Sequence, residues 1–189
     1  MKRIFIGIAV SAISFVACNN GGNKTNEAKS DTTQAPQTTG ATASGTVSIK
    51  GIVAGYLQLK NALSNDNSKD AANGGKTIAD ALQKLDTTAL TPDQKKVYAA
   101  IQDDMKEHAA HIGMNADKIA HQREHFEMLS KDMYDLIKAF PSEQTLYKDY
   151  CPMYNNGKGA IWVSETKDIK NPYLGKKMPT CGEVKEEIK

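Results

Sequence analysis

The chain has 189 residues, with 24 Lys+Arg against 22 Asp+Glu and a formal net charge of +2. Two of those cations, Lys2 and Arg3, lie in a segment expected to be removed. The mature chain is then neutral and lacks the cationic surplus that binding to a phosphate backbone needs, so no nucleic-acid partner is expected. An aromatic content of 6% and this length suit one domain with a helical core better than a large β-sandwich.

Met1-Lys2-Arg3 is a short basic start, followed by an apolar run to Ala17. The run is shorter than the roughly 20 apolar residues of a membrane span and has the layout of a secretory signal. Ala17 directly before Cys18 resembles the lipobox of bacterial lipoproteins, in which the cysteine becomes the first mature residue and carries the lipid. The alternative is an ordinary secretory signal with a chance cysteine. Asn19-Asn20 follow Cys18 with no acidic retention signal, so the expected location is the outer membrane, facing the periplasm, with membrane contact through the lipid on Cys18. Residues 1–17 thus read as a signal peptide and 18–46 as a tether. The tether's Asn, Gly, Lys, Thr, Ala, Ser and Gln residues cannot bury enough surface to offset ordering entropy. The folded domain is expected over residues 47–189.

Ile49, Ile52, Val53, Tyr56, Leu59 and Leu63 recur at helical spacing and predict a first helix ending near Ser64-Asn65. Ser68 opens a second helix with Ile78, Ala79, Leu82 and Leu85 on one stripe, and Gly74-Gly75 weakens its first half. Thr91-Pro92-Asp93 starts a third helix, with Thr91 as N-cap and Pro92 in the first turn. Val97, Ile101, Met105, His108 and Ile112 form its stripe, and Gly113 closes it. A fourth helix, capped by Asn115 or Asp117, runs from about Ala116 to Phe140, where Pro141 stops it. Short connections favour antiparallel neighbours. The expected fold is mainly α: an antiparallel four-helix bundle with a loop-rich C-terminal cap, about residues 142–189, carrying at most a small β-hairpin. Within the cap, Asn155-Asn156-Gly157 is a turn signal and Ala160–Ser164 a short strand candidate.

All four histidines, His108, His111, His121 and His125, flank the turn between the third and fourth helices. His121 and His125 are spaced i, i+4 and share a face, as do Met128 and Asp132 beyond them. Two imidazoles at that spacing can grip one metal ion. His108 falls in an apolar stripe and reads as structural, which leaves His111 as the better ligand candidate of its helix. In His121-Gln122-Arg123-Glu124-His125 the residue after the first histidine is Gln, so the general base of a zinc metalloprotease is missing, and Glu124 is expected to point elsewhere.

The cap holds two sulfur pairs, Cys151-Pro152-Met153 and Met178-Pro179-Thr180-Cys181. Thiolate and thioether suit Cu(I). Two cysteines in an exported domain also commonly form a disulfide, which here would close a loop of about thirty residues. Both readings stand on the sequence. No nucleophile–base set, phosphate loop or nucleotide fingerprint is present, so an enzyme is not expected.

Tyr56-Leu57-x-Leu59-Lys60, His121–Phe126, Leu129-Ser130, Met133-Tyr134, Tyr150–Met153, Gly157–Ser164, Asn171-Pro172-Tyr173 and Cys181-Gly182 together resemble a periplasmic lipoprotein domain of unknown function. Similar domains occur at the C-terminal end of periplasmic adaptor subunits of copper and silver RND efflux systems. The Cys-Pro-Met and Cys-Gly elements also resemble the short heavy-metal-binding domain of those adaptors. They depart from it where that domain has a second cysteine two residues before the last; Pro179 stands there. The resemblance implies a helical domain associated with heavy-metal handling. The expected function is a lipid-anchored periplasmic protein that binds Cu(I) or Ag(I), for sequestration or hand-over to an efflux adaptor. Its candidate ligands are Cys151, Met153, Met178, Cys181, His111, His121 and His125. The alternative is a disulfide-stapled, non-metal interaction module of the envelope.

Overall fold

A computed structural model describes residues 47–189. The expected signal peptide, Cys18 and the tether lie outside the described residues. Four helices come first: α1 Lys50–Ser64, α2 Ser68–Gln83, α3 Pro92–Met114 and α4 Ile119–Ala139. Three strands follow: β1 Leu146–Cys151, β2 Ala160–Ser164 and β3 Glu183–Ile188. No helix of the described residues is long and apolar enough to cross a membrane.

The helix boundaries follow local chemistry. Thr91 accepts from the Gln94 backbone N–H while the Gln94 side chain accepts from the Thr91 N–H, a reciprocal capping box, with Pro92 in the first turn. Ser68 opens α2 as expected, and Asn67 caps it, accepting from the Asp70 N–H at 3.1 Å. Two expected boundaries are corrected. Gly113 does not close α3, which runs on to Met114 with Asn115 as C-cap. Neither Asn115 nor Asp117 caps α4; Lys118 stands at that position and makes no side-chain cap bond.

Consecutive helices pack antiparallel. Gly51 lies against Ala81 and Gly74 against Leu59, so α1 and α2 run in opposite directions. Gly75 meets Ala109 and Gly113, while Tyr98 reaches the Leu82 carbonyl. Gly74 and Gly75 thus have a reason to sit inside a helix. A Cβ on Gly74 would lie 2.7 Å from the Leu59 backbone, and one on Gly75 would lie 2.7 Å from the Ala109 carbonyl oxygen. The pair lets α2 approach both neighbours at backbone distance, and that packing offsets the helix-propensity cost.

The cap holds more than the expected hairpin at most: a three-stranded antiparallel sheet in the order β2-β1-β3. Ala160–Ser164 is the strand expected there. β1 escaped the sequence pattern because Lys148 and Asp149 interrupt its apolar alternation, and its pairing with β3 shifts register between those two residues. β3, Glu-Val-Lys-Glu-Glu-Ile, reads as a solvated charged run. It is an edge strand whose charges face out except Glu186, which accepts from Tyr134 and Lys138 of α4, and it is anchored by Ile188 in the core.

The sheet packs on α4 and α1 through an aromatic core. Tyr56 stacks on Phe126 at 5.3 Å between centroids, and Tyr173 sits among Phe126, Tyr154 and Trp162. The Tyr56 hydroxyl shares a 2.8 Å hydrogen bond with Ser130 and accepts from the Val163 N–H at 3.1 Å, which ties α1, α4 and β2 at one buried point. The Tyr173 hydroxyl donates to the Ile161 carbonyl.

Candidate metal centre

α4 divides the His121–His125 run between two faces. Gln122 turns into the core and donates to the carbonyls of Ser68 at 2.9 Å and Ile112 at 3.2 Å. Arg123 faces the α1–α2 turn and the cap, donating to the carbonyls of Pro172 (2.8 Å) and Leu63 (2.9 Å) and to the Asp66 carboxylate (2.6 Å). The Arg123 hydrogen bond is the main reason the Asp66 carboxyl is held below the usual carboxylate range. These two residues are a clasp, and the clasp fixes the helix so that His121 and His125 face α3.

There the antiparallel α3–α4 pair brings four imidazoles together. His111, His121 and His125 each offer a ring nitrogen, and the three atoms lie within 4.8 Å of one another. His125 is the hub, with ring centroids 4.5 Å from His111, 4.6 Å from His121 and 5.3 Å from His108. All four rings are partly buried. Burial lowers the pKa of both His108 and His125, and at His125 the other three histidines lower it further. Neutral imidazole is the ligand form. His121 Nδ1 lies 3.3 Å from a Glu124 carboxylate oxygen. With the proton on Nδ1, that contact leaves the Nε2 lone pair free, the carboxylate–histidine arrangement that orients metal ligands. Glu124 therefore does not point elsewhere as the sequence suggested. Its i+3 spacing from His121 was the available signal.

The cap residues form a separate group. Cys151, at the end of β1, is buried, and Cys181, ahead of β3, is partly buried. Their sulfurs are 3.1 Å apart and unbonded. The sulfur contact with Cys151, then burial, raises the Cys181 thiol pKa, while the Met153 backbone N–H acts the other way. Asn171 shapes the return loop, donating to the Cys181 carbonyl at 2.6 Å and accepting from the N–H groups of Tyr173 and Leu174. Met153 is largely exposed and Met178 partly buried. Met178 meets Cys181 through its backbone carbonyl, at 3.3 Å.

The imidazoles and the thiols do not share one pocket. The cap docks on α4 through Arg123 and through Glu127, which accepts from Asn155 at 3.2 Å. His121 and His125 leave the helix on its other side. Among the described residues, the metal-competent group of imidazoles, thiols and carboxylates contains the three histidines and neither cysteine. The histidines can hold a borderline transition ion, and the thiols can hold a soft ion or oxidise to a disulfide.

Residues 52–145 match the family model DUF3347, described as a protein of unknown function. The match spans the four helices and all four histidines and stops just short of β1, so both cap cysteines lie beyond it. No curated protein and no solved structure is detectably similar to the chain.

Proposed function

We propose that this chain is a lipid-anchored metal-binding protein of the bacterial cell envelope, which takes a copper-group cation at the α3–α4 histidines and sequesters it or passes it to a heavy-metal efflux adaptor. One observation carries the reading: three imidazoles from two helices converge within 4.8 Å, one of them oriented by a carboxylate. Imidazole suits copper, and exchange between protein ligands moves such an ion without catalysis. The anchor and the periplasmic location rest on the Lys2-Arg3 start, the short apolar run and Ala17-Cys18. The test is titration of the purified, reduced protein with Cu(I) and Ag(I) against a competing chelator. His121→Ala/His125→Ala is expected to weaken binding about tenfold or more with the helical circular dichroism retained, whereas Cys151→Ser/Met178→Leu keeps the histidine site. The reverse pattern would move the site to the cap.

The 3.1 Å approach of Cys151 and Cys181 favours a second reading, in which a disulfide staples the cap of a non-metal docking module. Absence of any metal binding by the wild-type protein would select it.

A further inference from the structure

Resting on the metal reading above, we infer that His108 is a fourth ligand, making the cluster a four-imidazole site that holds copper as Cu(II). His108 Nδ1 lies 3.1 Å from His125 Nδ1. Two nitrogens bound to one ion at 2.0–2.1 Å stand about 3 Å apart in adjacent positions, so this pair already has the spacing of two ligands. Without metal the same approach is a hydrogen bond in which one Nδ1 carries the proton; for both Nδ1 atoms to ligate, that ring changes tautomer and holds its proton on Nε2. His111, His121 and His125 lie within 4.8 Å of one another; His108, also on α3, stands outside that group and touches it through His125, so it joins the other three by a side-chain rotation that the metal would draw. The stripe position that made His108 look structural is what seats it at the α3–α4 seam.

Four neutral nitrogen donors match the tetragonal preference of Cu(II), while a monovalent d10 ion such as Ag(I) is satisfied by fewer donors. Asp104 stands one turn before His108 on α3, close enough for its negative charge to act on that ring. That field favours the higher-charged ion.

The experiment is Cu(II) electron paramagnetic resonance on the Cys151→Ser/Cys181→Ser protein, in which the folded domain has no thiol to reduce the probe. A tetragonal signal with four coupled nitrogens is expected. His108→Ala should show three, and lose Cu(II) affinity about tenfold or more while Ag(I) affinity moves by less than about threefold. Three nitrogens before the substitution, or an unchanged spectrum after it, overturns the fourth ligand and leaves the three-histidine reading standing. Failure of the wild-type protein to bind any of these ions overturns both. Should the serine background not fold, X-ray absorption of the wild-type protein loaded with Zn(II) gives the same count. Four nitrogen neighbours with no sulfur shell support the inference, and a sulfur shell or three nitrogens defeats it.

Discussion

Two charged residues sit where the helix and strand patterns call for apolar ones. Lys60 is fully buried on the α1 stripe and its ammonium lies 2.7 Å from the Glu165 carboxylate, whose other oxygen accepts from Asn61 at 2.8 Å. Burial pulls the Lys60 pKa down. It would push that of Glu165 up, but there the Lys60 and Asn61 hydrogen bonds win and the carboxyl is held low. Asp149 on β1 has no such partner. Its buried carboxyl oxygens have only the indole N–H of Trp162, its cross-strand neighbour, facing them, in a contact too poorly aligned to be a full hydrogen bond. Desolvation, reinforced by Glu165 and opposed by the Lys60 charge and the Trp162 N–H, raises its pKa to about 7. A carboxyl raised in the folded state binds more protons there than in the unfolded chain. Stability is therefore highest below the unfolded carboxylate pKa and falls as pH rises toward about 7. Asp149→Asn removes the ionisation and should flatten that slope, gaining about 2 kcal/mol on the wild type between acid and mildly alkaline pH. Urea unfolding across the pH range measures it; parallel curves for the two proteins would show that Asp149 does not titrate in this window.

At the scale of elements, α2 is the piece whose sequence looks weakest and whose contacts are closest. Gly74 and Gly75 reduce its intrinsic helicity, yet they let it lie against α1 and α3. Gly74→Ala would raise helix propensity and still destabilise, by about 1–3 kcal/mol, because the new methyl meets backbone that cannot rotate away. Thermal unfolding decides the sign: a higher midpoint would mean the two helices separate at little cost. α4 makes a related point. Within one five-residue run, Gln122 and Arg123 hold the helix in place while His121 and His125 meet His111 of α3. The sequence showed the histidine pair through its spacing. It did not show the clasp, because apart from Ile112 the partners of Gln122 and Arg123 lie in segments 49 to 60 residues away.

For the molecule as a whole, the cap depends on closing its return loop. The thiols are 30 residues apart in sequence and their sulfurs 3.1 Å apart in space. Oxidation to a disulfide, with loss of two protons and two electrons to a disulfide-exchange partner, should stabilise the domain by about 3–4 kcal/mol in the chain-entropy model. Unfolding with and without reductant measures this. A thiol-alkylation count after air exposure tells whether the bond forms. Copper uptake at the histidines should survive the oxidation, since the cap and the imidazoles lie on different sides of α4.

What the sequence determined by itself was whatever has a local cause. The four helices follow from apolar spacing, the Thr91-Pro92 start and the Pro141 stop, and the candidate ligands follow from the clustering of every histidine around one turn. Tertiary structure alone decided the rest. It made strands of Leu146–Cys151 and Glu183–Ile188, whose polar residues hide any alternation until a sheet and a helix cover one side. It also divided the expected ligands into a thiol pair and an imidazole cluster, because α4 presents opposite sides to the cap and to α3. The spacing of residues along a chain gives the side of a helix on which a group stands; only packing decides what that side faces.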